Sequence, residues 1–111
     1  MSTEQYPKSQ IVQLGDSVEY ADNSIVSKAV IKSTSGNVTL FAFDKAQELS
    51  EHTAPFDALV QVLDGSVKIT IAGQPYDLES GSSIIMPASI PHAVKAVEKF
   101  KMLLTMIKEK S

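Results

Sequence analysis

Between Val38 and Ile107 short apolar runs alternate with turn-forming residues. Val67, Ile69 and Ile71 fall on one face of an extended segment, Lys68 and Thr70 on the other, and Gly73 supplies a turn just beyond. A period of two marks a strand with one buried face. His92, Val94 and Ala96 share a face in the same way, opposite Lys95, and Leu59 to Leu63 reads as a further strand. Phe100, Met102, Leu104 and Met106 share a face near the end of the chain, and their alternates Leu103 and Ile107 are apolar too. A strand that is apolar on both faces is covered on both. In so short a chain that second cover is expected from another subunit, which predicts a homodimer. Helix propensity competes from Phe100 to Lys110, yet the uniformly apolar even positions favour strand over Phe100 to Ile107.

Turn signals recur at Gly15-Asp16-Ser17, Asp22-Asn23-Ser24, Thr34-Ser35-Gly36-Asn37, Asp64-Gly65, Ala72-Gly73-Gln74-Pro75 and Ser80-Gly81-Ser82. The runs between them are rich in Val, Ile, Thr and Phe, which suit a pleated, half-buried surface. Asp44 to Ser50 reads either as a short helical turn or as a loop entering a strand. This rhythm predicts an all-β fold, an antiparallel barrel or sandwich. With 111 residues, one domain over 1–111 is expected. Residues 1–25 carry no clear pattern; they add an edge strand, swap between subunits or stay mobile.

Composition narrows the function. There is no cysteine, so disulfides, thiolate metal sites and a nucleophilic thiol are excluded. Net charge is −3 and the lysines are scattered, which argues against nucleic acid as a partner. No polybasic patch and no apolar run of about 20 residues point to a membrane. The first residues, Met1-Ser2-Thr3-Glu4-Gln5, lack the basic-then-apolar pattern of a signal peptide. A soluble cytoplasmic protein is the expectation.

Only two histidines are present. His52 lies in Leu49-Ser50-Glu51-His52-Thr53-Ala54-Pro55-Phe56-Asp57-Ala58, and Gly65 closes the strand that follows. His92 ends the segment Gly81-Ser82-Ser83-Ile84-Ile85-Met86-Pro87-Ala88-Ser89-Ile90-Pro91-His92. Taken alone, a histidine beside Val94 and Ala96 is an ordinary buried residue bonded to the backbone. Together, however, these segments resemble the cupins, small jelly-roll barrels (double-stranded β-helices) with two short motifs. The first motif reads H-x-H, then E, then G; the second reads G, five residues, P, then H. His52 and Gly65 match the first motif, and Gly81, Pro87 and His92 match the second. The resemblance spans residues 36–107 and implies that His52 and His92 face one cavity.

Two departures bear on chemistry. The resemblance implies a metal set of three histidines and one carboxylate, but its second histidine falls on Ala54 and its glutamate on Ala58. His52 and His92 are left as tentative ligands of a divalent metal ion. Glu48, Glu51 and Asp57 are the carboxylates near enough in sequence to add a third donor. Asp57 and Glu51 have the wrong strand parity unless Pro55 breaks the alternation, and Glu48 shares parity with His52 two strand steps away. Gln61 is flanked by Val60 and Val62, which carry the inward parity.

Met86, Met102 and Phe43 join the two histidines as candidate ligand-binding residues; Met106, Phe41, Phe56 and Phe100 are either pocket or plain core. Methionine adapts to irregular shapes and would tolerate varied ligands. Tyr76 and Asp77 read as surface, and Ser82-Ser83 as part of a turn. No nucleophile elbow or phosphate-cradling glycine loop is present. These residues favour binding of a small molecule, such as an organic acid, through His52 and His92. The alternative is an enzyme. A histidine base would suit isomerisation or epimerisation, and an incomplete metal set would suit oxygenase chemistry. A third reading is a dimeric domain that acts through protein partners.

Overall fold

The computed structural model describes residues 6–109. Nine strands are found among them: β1 (Ile25–Ser33), β2 (Gly36–Phe43), β3 (Glu48–His52), β4 (Phe56–Asp64), β5 (Ser66–Ile71), β6 (Gln74–Glu79), β7 (Ser83–Met86), β8 (His92–Ala96) and β9 (Phe100–Lys108). They form two antiparallel sheets, ordered β1-β2-β9-β4-β7 and β3-β8-β5-β6. The only helical element described is a single 3-10 turn over Leu14–Asp16. The fold is therefore all-β, as the alternation predicts, and is the jelly roll that the resemblance implies. No helix among the described residues is long and apolar enough to cross a membrane.

The two sheets bury their inner faces against each other, as period-two sequences require. Phe43, Ala58, Val60, Val62, Phe100, Met102 and Leu104 come from the larger sheet; Val67, Ile69, Leu78, Val94 and Ala96 come from the smaller. Phe100 to Lys108 is strand, not helix, because β9 runs between β2 and β4 with a partner on each side. Phe100, Met102 and Leu104 fill the core, and Met106 packs against it. Asp44 to Gln47 makes a turn, and β3 begins directly at Glu48. Tyr76 and Asp77 are exposed on β6, while Ser82 precedes β7 and Ser83 opens it.

The outer face of the larger sheet carries a second apolar cluster. Leu103 packs in an apolar cluster that includes this chain's own N-terminal segment. Val18 is buried there with Leu40 and Ala42, and Tyr6, Leu14, Tyr20 and Leu103 pack around them. Polar groups hold the segment down: Lys101 Nζ donates to the Gly15 carbonyl at 2.6 Å, and Tyr20 Oη donates to Asp64 at 2.6 Å. Lys99 and Lys101 sit over the Tyr20 ring. Thus residues 6–24 contribute no strand; they strap the sheet. Residues 1–5 of the predicted 1–25 segment lie outside the described residues, as do Lys110 and Ser111. Beyond the strap, Ile31, Ile85 and Ile107 remain exposed.

Gly65 closes the tight link between β4 and β5 at φ +78, where an added Cβ would run into the Lys99 carbonyl and crowd Phe100 Cα. Gly73 has φ +83 but open space around it. Gly65→Ala should therefore cost about 3–5 kcal/mol of stability and Gly73→Ala about 1–2 kcal/mol, read as denaturation midpoints. Equal losses would contradict this account of the link.

Tyr20 gives a pH signature. Burial first, then the hydrogen bond to Asp64 and that carboxylate's charge, push its phenol well above the ordinary tyrosine range. The neutral phenol is the form that the fold favours. Its contribution is fully present below about pH 10, the unfolded tyrosine value, and is lost as pH rises further. Stability measured from pH 9 upward should fall more steeply in the natural chain than in Tyr20→Phe.

Candidate functional site

The two histidines meet through strand register. His52 on β3 is the cross-strand partner of His92 on β8, and His92 is also opposite Ile71 on β5. Their ring centroids are 4.3 Å apart with planes at 65°, an edge-on contact. His92 is 7% exposed, whereas His52 stands at the rim and is exposed. Each ring is oriented by its own backbone. The Ser50 carbonyl lies 2.8 Å from His52 Nδ1, and the Ile90 carbonyl lies 3.2 Å from His92 Nδ1. A carbonyl can only accept, so each Nδ1 carries the proton and, in the neutral ring, each Nε2 keeps its lone pair.

A β-bulge accounts for what else reaches the site. Leu49 pairs with Val94 and His52 with His92, so three steps along β3 span two along β8. Strict alternation would put Leu49 and His52 on opposite faces; the extra residue brings both to the cavity. The same bulge undoes the parity argument for Glu48, which shares His52's parity in sequence but is exposed. Asp57 is exposed too, and its Oδ1 accepts from Ala88 N at 2.9 Å, so Pro55 does not turn it inward. That bond ties the start of β4 to the loop that leads into His92. Ser89 N donating to the Ala54 carbonyl at 2.8 Å adds a second tie.

The cavity has a volume of about 60 Å³. His52, His92, Met86 and Met102 line it together, with Leu49, Ala54, Phe56, Ala58, Val94, Leu104 and Met106. Phe43 is not in the wall. It is completely buried in the core, its ring centroid 4.7 Å from that of Phe100, so its role is packing. Gln61 faces away, between the inward Val60 and Val62. Sequence reasoning did not name Leu49, Val94 or Leu104 as wall residues; alternation turns the last two inward, whereas nothing in a five-residue strand announces the bulge that brings in Leu49.

Ala54 and Ala58 both line the cavity, where the motif would place a histidine and a glutamate. Among the described residues no cluster of three or more His, Cys, Asp or Glu could hold a metal. Divalent-metal sites usually draw three or four protein donors, often with a charged one. The residues present do not fit a divalent cupin centre.

A jelly roll with one histidine from each motif facing a shared cavity defines the class of protein. The family model described as Cupin domain matches residues 39–108. The chain belongs to the cupins. It is similar along 99% of its length to a conserved protein of unknown function from Streptococcus pyogenes, with 33% identity, all of that chain covered and a TM-score of 0.89. A cupin 2 conserved barrel domain protein from Leptotrichia buccalis is 43% identical over 85% of this chain and 46% of its own, with a TM-score of 0.82. A cupin superfamily protein from Desulfitobacterium hafniense is 27% identical over 96% of this chain and 97% of its own, with a TM-score of 0.88. No functionally curated protein matches the chain.

Restoring the missing donors tests the geometry. Ala54→His with Ala58→Glu should create a site that binds one equivalent of Ni²⁺ or Mn²⁺ by calorimetry and raises the thermal midpoint when loaded. The natural chain should bind neither ion under those conditions. A double variant that folds but binds no metal would mean that these positions do not converge with the histidines.

Proposed function

We propose that this cupin binds a small, mostly apolar organic molecule that donates a hydrogen bond to the paired imidazoles. One observation carries the reading: two oriented histidines form the only strongly polar part of an otherwise hydrocarbon and thioether wall. Ligand sites typically combine apolar walls with a few placed polar groups that fix orientation. With each Nδ1 already committed to a carbonyl, Nε2 is the nitrogen left for a ligand. In neutral rings it accepts, so a hydroxyl, or an acid in its protonated form, is the complementary group. An ionised carboxylate would need a protonated ring opposite it.

Phenol is a suitable probe, with toluene as the control that lacks the donor. Phenol should perturb the methionine methyl and histidine ring resonances, and toluene should bind more weakly. A hydrogen bond contributes about 0.5–1.5 kcal/mol net, so His52→Ala or His92→Ala should weaken phenol binding about 2- to 10-fold. Unchanged affinity in both variants would defeat the proposal.

A further inference from the structure

Every metal donor in the cavity wall is uncharged or soft. His52 and His92 offer imidazole nitrogen, Met86, Met102 and Met106 offer thioether sulfur, and the remaining lining residues are hydrocarbon. Three of the four methionines in the sequence are gathered at this one cavity. Their placement relative to Ala58 is the informative part. Ala58 on β4 pairs with Met86 on β7 and, across its other edge, with Met106 on β9. Thus the position where a carboxylate would stand holds a methyl group, flanked on both sides by thioethers.

We infer that this cavity binds a soft monovalent metal ion, Cu(I), through the Nε2 atoms of His52 and His92 with thioether sulfur from the methionines beside Ala58. Charge argues for the monovalent state. The cost of taking an ion out of water grows as the square of its charge, so a divalent ion suffers about four times the penalty, with no carboxylate here to offset it. Donor softness argues for copper, because thioethers favour Cu(I) whereas carboxylates and water suit Mg²⁺, Ca²⁺ and Mn²⁺. The histidines are already arranged as ligands usually are: each donates its other ring N–H to a backbone carbonyl, fixing the tautomer that presents Nε2. Methionine's flexibility lets sulfur approach without moving the strands. The inference goes beyond the organic-ligand reading and does not depend on it, although both use the same imidazoles.

The test is an anaerobic titration of the full chain with ascorbate-reduced copper against the Cu(I) chelator bicinchoninate. One equivalent of Cu(I) should transfer to the protein, while Zn²⁺ and Mn²⁺ should not bind under the same conditions. X-ray absorption of the loaded protein should show both nitrogen and sulfur neighbours. His52→Ala with His92→Ala should weaken Cu(I) binding more than 100-fold, and Met86→Leu with Met106→Leu more than 10-fold. Leucine is close to methionine in volume, so the second pair should keep its thermal midpoint within a few degrees. No transfer from the chelator, unchanged Cu(I) affinity in the folded leucine pair, or Zn²⁺ bound as tightly as Cu(I) would each overturn the inference. Phenol titrated into copper-free protein is scored separately, so either reading can fail while the other stands.

Discussion

Between Leu49 and His52, strand β3 carries one residue more than the stretch of β8 it pairs with, and the site depends on that irregularity. Without the bulge, Leu49 and His52 would face opposite sides of the sheet, and one would leave the cavity. With it, Leu49 closes the apolar wall while His52 falls directly opposite His92. The bulge is held in place by what surrounds it. β8 is fixed on its other edge by β5, and the loop before His92 is tied to the loop after His52 and the start of β4 through Ala54, Asp57 and the backbone of Ala88 and Ser89. Slipping β8 by one residue would expose Val94 and Ala96, both fully buried, so the core itself defends the register.

That register sets the chemistry. Two imidazoles meet edge-on in a cavity that contains no carboxylate, and each is committed to one tautomer by a carbonyl of its own chain. Such a site presents lone pairs rather than charge. It suits a hydrogen-bond donor or a soft ion of low charge, and it does not provide the four-donor set of a divalent cupin centre. Alanine at positions 54 and 58 leaves methyl groups where the motif would place two donors, and Met86 and Met106 occupy the flanks of position 58.

The N-terminal strap shows how a second apolar face is satisfied within one chain. Leu40, Ala42 and Leu103 point away from the core, and Val18, Leu14 and Tyr20 cover them. Polar anchors at Lys101 and Asp64 compensate for a segment with almost no regular secondary structure. The cover reaches only part of the sheet, since Ile31, Ile85 and Ile107 remain exposed.

Much of this was legible from local pattern. Alternation at Val67 to Ile71 and Phe100 to Met106 determined the strands, their inward faces and the all-β class, because a period of two leaves one stable way to bury those side chains. The resemblance to the cupin motifs at His52, Gly65, Gly81, Pro87 and His92 marked the two segments that carry the histidines. The sequence by itself could not tell which side chains reach the cavity wherever alternation fails. Leu49 and Glu48 depended on a bulge, and Phe43 on whether β2 lies beside the cavity or behind it. Nor could it say what covers Leu103, since a weakly patterned strap is recognised only by the surface it lies on. Those outcomes belong to the tertiary structure, because each depends on contacts between segments distant in the chain, whose geometry no local pattern encodes.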